Sequence, residues 1–294
     1  MYLSETYMQI AGIPEQNPLK KYFRQPKLFI TLPSQGNFYP KGAIDFPENG
    51  ELPVYPMTAK DELTMKTPDA LLNGQATVDL IQSCVPNIKD AWQMPSIDLD
   101  LILIAIRIAT YGENLDITTK VPNTGKEKEY TVDLRKILQQ LSAPGYEHNI
   151  EINGMQVFLR PLTYKEFTDA SLKTFEEQRI FRLVNDQNIP DQEKLSRFSE
   201  SFLKLTQLTV GMISKSIAKI VIDDTEVTDQ RFIKEFIDNA DKEFYNQITD
   251  HLELQKSKFQ IKPMKVISEP EEVAEGAPEE FEVPITFDQS NFFG

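Results

Sequence analysis

His148, His251 and Cys84 are the side chains best suited to acid–base or nucleophilic chemistry in this chain of 294 residues. A cysteine–histidine pair would have to be assembled from positions far apart in sequence. A serine nucleophile would sit in a G-x-S-x-G elbow, and no such run occurs. Thr124-Gly125-Lys126 resembles the end of a phosphate-binding loop, but the earlier glycine that loop needs falls at Lys120. No H-E-x-x-H pair and no calcium-binding loop is present, and one cysteine makes neither an intrachain disulfide nor a thiolate zinc cage. Carboxylates are plentiful, so glycoside hydrolysis is the one chemistry the inventory leaves standing. The reading is therefore of a protein with no catalytic set, no cofactor and no metal. Cys84 lies in an apolar helical run and is expected to be a small buried hydrophobe.

The elements that would position any site follow from the punctuation of the chain. Residues 1–27 form an arm broken by Pro14, Pro18 and Pro26. Leu28–Ile30 leads into LPSQGNFYPKG, where prolines and glycines force turns. Thr58 with Asp61 and Glu62 opens a short helix, Thr67-Pro68 a further turn to Gly74, and Gln75–Val85 a helix that Pro86 stops. Ile97–Tyr111 is predicted as a helix with Ser96 as its cap and Gly112 past its end. Its Asp100 and Arg107 share one narrow seam, with Asp61 or Glu62 expected to answer Arg107. Leu115–Val121 and Glu129–Val132 read as strands, 133–141 as a helix, and Asn153-Gly154 as a hairpin turn between apolar runs.

Thr163 and Glu166 form a capping box for a helix Tyr164–Val184, which Asn188-Ile189-Pro190 breaks. A second long helix is predicted from Asp191 to Val221. Its stripe of Leu195, Phe198, Phe202, Leu205, Leu208, Met212 and Ile220 is taken as a core face, weighed against an oligomer seam. After a turn at Asp223–Thr225, Thr228 caps a helix through Ile237, and Lys242–Phe259 is the last helix, with His251 a structural histidine. Residues 269–282 hold seven glutamates and read as a solvated linker. The fold class is α+β, mainly α-helical, a helical core with small β-hairpin inserts. It divides into the arm 1–27, an α+β half 28–162, a helical half 163–260, and an acidic linker with an aromatic anchor, 261–294.

Net charge argues about partners. At −14 the chain lacks the basic face that phosphate backbones demand, so nucleic acid is excluded. The longest apolar run, Leu101–Ile106, is far short of the roughly 20 residues that span a bilayer, and residues 1–16 do not read as a signal peptide. The chain is thus expected to fold in the cytoplasm, away from membranes. What remains is protein–protein contact. The candidate contact residues are Tyr22, Phe23 and Arg24 on the arm, Arg107 on the central helix, and Phe287, Phe292 and Phe293 at the carboxyl end, where a charged linker would carry an aromatic anchor to a neighbour, weighed against a terminus that folds back on the chain's own helical half.

The order of pieces from Leu28 to Gly112 carries a resemblance. LPSQG…YP, then TAKDEL, then LLNGQATVDLIQSCVP, then DLDLILIAIRIATYG is similar to the baseplate hub protein family of T-even-type contractile-tailed bacteriophages. The likeness extends more weakly over the helical half and the terminal ITFDQSNFFG. It implies a non-enzymatic structural or assembly protein of the tail baseplate's central hub, although phage hubs do include glycosidases. The alternative is a transient chaperone for a hub or tape-measure protein, absent from the mature virion. Implied partners are other hub proteins and the tape-measure protein, with self-association left open. The implied location is the host cytoplasm during assembly, then the virion tail if the protein is retained. Many members of the family carry zinc-binding cysteines near the carboxyl end. This chain has none there, so residues 258–287 are expected to be held by apolar contacts.

Overall fold

The computed structural model of the chain describes residues 17–66, 74–142, 145–183, 191–285 and 292–293. Among these the fold is α+β and mainly helical, as the sequence predicts, with its strands in small antiparallel sheets. The turn at Thr67–Asn73, the break at Asn188–Pro190 and Phe287 lie outside the described residues.

Strand β1 (Leu28–Ile30) pairs with β2 (Leu52–Val54). Helix α1 (Ala59–Met65) opens on a complete capping box. The Thr58 hydroxyl accepts from the Asp61 N–H at 3.2 Å, and the Asp61 carboxylate accepts from the Thr58 N–H at 2.7 Å. Helix α2 (Gln75–Cys84) starts from Gly74, whose φ of +80° suits glycine. Space is tight there too, since a Cβ would stand 3.1 Å from the Tyr164 hydroxyl and 3.2 Å from the Trp92 ring. Those two rings stack with centroids 5.5 Å apart.

Helix α3 (Leu99–Tyr111) is the centre of the first core. Leu101 through Ile106 are all buried, and a helix apolar around its whole girth needs protein on every side. The predicted Ser96 cap is not made. Ser96–Asp98 wind as a tight 3-10 turn, and Asp98 points inward instead of capping α3. There its carboxylate accepts from the Ser34 N–H at 2.8 Å, the Ser34 hydroxyl at 2.6 Å and the Tyr39 hydroxyl at 3.0 Å. Gly36 in the same loop has φ +77°, and a Cβ on it would stand 2.7 Å from the Phe46 ring.

Strands β3 (Asn114–Lys120) and β4 (Glu127–Asp133) form the predicted hairpin, and α4 (Leu134–Ser142) packs back on α3. A second core begins at β5 (Asn149–Ile152) and β6 (Met155–Leu159), joined by Asn153-Gly154 at φ +52° and +78°. Helices α5 (Tyr164–Leu183) and α6 (Asp191–Ser216) follow. The Thr163–Glu166 box caps α5 as predicted. The predicted continuation of α6 to Val221 does not occur. Ile217–Ile222 is strand β7, paired with β6 on one side and with β8 (Thr225–Val227) on the other. The run Ile-Ala-Lys-Ile-Val-Ile is mostly β-branched, and a waiting hydrophobic edge on β6 outweighs helix propagation. The β5–β6 hairpin therefore belongs with the helical half, packed under α7 (Gln230–Asn239) and α8 (Lys242–Lys258). Asp229, not Thr228, caps α7, its carboxylate accepting from the Arg231 N–H.

The acidic stretch is structured, which corrects the linker reading. Strand β9 (Met264–Ile267), the short helix α9 (Pro270–Ala274) and β10 (Glu280–Val283) fold as a unit on the β3–β4 hairpin. Lys128 meets Glu269 and Glu272 at 2.8 Å each, and Lys126 meets Glu275. The Lys126–Glu275 and Lys128–Glu269 pairs are largely exposed and worth little individually, while Lys128–Glu272 is partly buried. Burial of Phe281, Val283 and Ala277 against Val121 contributes more. Apolar contacts thus hold this segment, as expected for a chain without the zinc-binding cysteines.

Burial raises the carboxyls of Asp98 and Asp100 from 3.8 to about 6, against the hydrogen bonds that lower them. Because the folded-state value lies above the unfolded one, each contributes stability that is present below pH 4 and is lost as pH rises through about 6. For Asp98 the loss between pH 5 and 7.5 comes to roughly 1 kcal/mol. Urea midpoints should show that Asp98→Asn removes this part of the slope. A slope identical to wild type would mean that Asp98 does not titrate in this range.

Candidate interaction surface

The amino-terminal segment is rooted by one arginine. Asn17 caps a 3-10 turn at Pro18–Tyr22, after which the chain runs extended to β1. Arg24 sits at the root of this segment and spreads its guanidinium across three separate pieces of chain. One nitrogen donates to the Pro56 carbonyl and to Asp61 at 3.2 Å, the other to the Ser83 carbonyl at 2.6 Å and the Ser83 hydroxyl at 2.8 Å. Asp61 thus serves its own helix cap and Arg24 together, with the Ser83 hydroxyl donating to it as well at 3.1 Å. Arg24, placed by sequence among residues that touch a partner, is committed within the chain. The planar five-donor fork makes this possible where lysine would not.

Tyr22 and Phe23, next to it, stay out in solvent at 74% and 56% exposure. Lys20 and Lys21 stand beside them, Lys21 lying 4.9 Å from the Tyr22 ring centroid. The result is an aromatic and basic ledge on a chain of net charge −14, fixed at its base by a partly buried ion pair.

Arg107 is not answered by Asp61 or Glu62. Its guanidinium lies 4.7 Å from the Tyr111 ring and 3.4 Å from the carbonyls of Gly112 and Asn114, and burial lowers its pKa. Burial, with the Glu62 charge nearby, raises the Tyr111 phenol above its ordinary range. The Tyr111 hydroxyl donates to the Phe293 carbonyl at 2.7 Å.

The carboxyl end is likewise turned inward. Phe292 and Phe293 are buried in the first core and meet edge to face, with centroids 4.9 Å apart. The anchor expected to reach a neighbour is, for these two rings, a plug in the chain's own core. Two phenylalanines have more apolar surface to lose to an available hydrophobic groove than the acidic segment before them has to gain in water. The Asp100 side of α3 is covered as well, its carboxyl lying against the Ile261 backbone.

The residues suited to chemistry are dispersed. Burial pushes the Cys84 thiol up to about 12, which keeps it from being a nucleophile at neutral pH. His251 lies 2.9 Å from the Glu147 carbonyl, whereas His148 is exposed beside Phe158. Among the described residues, no group of three or more His, Cys, Asp or Glu is placed to hold a metal ion. Nor, among them, is any helix long and apolar enough to cross a membrane.

Polar clusters stitch the chain to itself beside an exposed aromatic ledge. A family profile described as T4 bacteriophage base plate protein matches residues 29–267, and the chain belongs to that family. No curated protein and no solved structure matches it.

Arg24→Ala would leave the Asp61 carboxylate, only a tenth exposed, without its cation. Loss of a buried partner costs about 3–5 kcal/mol, and the quarter exposure of Arg24 brings the expected figure to about 2–3 kcal/mol. Arg24→Lys should recover only part of it. A urea midpoint for Arg24→Ala within error of wild type would remove Arg24 as the root of the ledge.

Proposed function

We propose that this baseplate-family protein is a non-enzymatic structural or assembly protein of the tail baseplate's central hub, working through protein–protein contacts. Its neighbours on this reading are other hub proteins and the tape-measure protein. The observation that carries it is a division of labour in the sequence. Ser34, Tyr39, Asp61, Gly74 and Asp98, all within the family-like motifs, are spent on internal packing and hydrogen bonds. Tyr22 and Phe23, with their flanking lysines, are kept at the surface. Exposed aromatic residues beside cations are the side chains from which interface hot spots are made. Basic charge on an otherwise acidic protein steers toward an acidic face.

The same surface would serve a chaperone that binds a hub or tape-measure protein and then leaves. Mass spectrometry of purified tails separates the two. A retained subunit is found in the particle; a chaperone is abundant in infected cells and missing from virions. Nothing in either role requires a membrane or nucleic acid.

Tyr22→Ala with Phe23→Ala removes exposed side chains only, so stability should stay within about 0.5 kcal/mol of wild type. Capture of hub components from infected-cell extract should fall at least about tenfold. Undiminished capture by the folded double variant would exclude the ledge as the docking surface.

A further inference from the structure

The loop after β1 is held in a conformation that its residues do not favour. Gln35, Gly36 and Phe38 all lie in the left-handed region, at φ +53°, +77° and +68°. Glycine adopts it freely. A glutamine and a phenylalanine do not, and such residues persist only where surrounding contacts over-determine them. Here the contacts bracket the strained stretch. Ser34 before it and Tyr39 after it both donate to the Asp98 carboxylate, and the Asn37 N–H donates to the Ser34 carbonyl at 2.9 Å. The Phe38 ring meanwhile reaches a different part of the molecule. It meets the Tyr146 ring edge to face with centroids 5.4 Å apart, and Tyr146 lies 6.3 Å from the Phe259 ring. Tyr146 belongs to the connection leading into β5, and Phe259 follows the last turn of α8. The loop thus touches the first core through Asp98, and through Phe38 the entry to the second core and the exit from it.

Two terms oppose this closed arrangement. One is the left-handed backbone at Gln35 and Phe38. The other is Asp98 itself, wholly buried and with no cation paired to it among the described residues. Three hydrogen bonds to the carboxylate and the Phe38–Tyr146 contact hold it shut. We propose that residues 34–39 are a latch between the two cores, which opens by admitting water to Asp98 and in doing so withdraws Phe38 from Tyr146.

The latch has a direction in pH. Only the charged form of Asp98 gains much by reaching water, so protonation favours the closed state and ionisation the open one. Burial in the closed state raises the carboxyl from 3.8 to about 6. Because that value lies above the one in a solvated, open loop, the latch holds below about pH 4 and loosens as pH rises through about 6. The groups that face Asp98 do not reverse this sign. The Tyr39 phenol is pushed up by burial and stays neutral throughout. Asp100, two positions on, titrates in the same range, but it lies against the Ile261 backbone and has its own control.

Hydrogen exchange of the full chain, followed by mass spectrometry and corrected for the intrinsic pH dependence of exchange, reads the latch directly. The reporters are the Ser34 and Asn37 amides in the loop and the Glu147 amide beyond Tyr146, which donates to the Gln255 side chain at 3.0 Å. Between pH 5 and 7.5 the loop and residues 145–149 should lose protection together, by about tenfold, while exchanging faster than the amides of β6 and β7. Asp98→Asn should abolish the pH response and Asp100→Asn should leave it. Phe38→Gly, which removes the ring and suits the left-handed backbone, should uncouple the two segments: 145–149 becomes less protected at every pH, while the loop still responds. The wild-type and Phe38→Gly arms stand even if Asp98→Asn does not fold. Loop amides that exchange only as slowly as those of β6 and β7 overturn the proposal, because opening is then unfolding of the whole molecule. So does a segment 145–149 that ignores the loop, or an unchanged pH response in Asp98→Asn.

Discussion

A carboxylate removed from water has to be satisfied by the chain around it, and Asp98 is satisfied by a loop some sixty positions earlier. Ser34 offers both its N–H and its hydroxyl, and Tyr39 adds a third donor. This one interaction fixes the loop after β1 onto the start of α3. Everything else in the first core is arranged around that helix: the β1–β2 pair and α2 on one side, α4 on another, and the carboxyl-terminal rings over the Tyr111 end. Arg24 does the same work at the opposite edge, tying the amino-terminal segment to α1 and to the end of α2. Two charged groups thus set the register of a core whose apolar contacts are strong but indifferent to direction.

Much of this was legible in local sequence. Thr58 with Asp61, Thr163 with Glu166, and Asn153-Gly154 each encode a backbone hydrogen-bond pattern within a few residues, and the structure contains all three. The apolar run after Asp100 identified the central helix. What failed was long-range. Asp98 looked like a residue of the helix's first turn, and only its loop partners reveal why it is there. The signal available was Ser34 and Tyr39 in a loop otherwise made of turn residues. Ile217–Ile222 looked like the end of a helix because helical periodicity runs straight into it. The choice of strand depends on β6, which no local window contains. The acidic stretch was misread for a related reason, since composition counts charges and cannot see that Lys126 and Lys128 wait for them.

The candidate surface divides the same way. Tyr22 and Phe23 were found by residue type and remain exposed. Arg24, one residue later and of the same apparent kind, is internal. The difference between neighbours is decided by whether a carbonyl, a hydroxyl and a carboxylate converge on the spot, which residue type alone does not disclose. The stripe on α6 is the converse case. Periodicity predicts it as a core face, yet Leu195 and Phe202 are exposed while Ser201 on the same helix is buried.

The seating of Phe292 and Phe293 closes the chain into a ring of noncovalent ties. The last described residues rest in the core built by the first, with Tyr111 and Phe293 bonded across 182 positions. The β6–β7 pairing bridges the stretch between. A peptide bond cut in the connection between α5 and α6 would sever the covalent path without freeing either piece. The earlier fragment would keep β6 and the first core; the later one would keep β7 and the two phenylalanines. Each would hold a half of the other's hydrophobic surface, so the protein is suited to being divided there and reassembled from its two fragments, much as a permuted or split chain is.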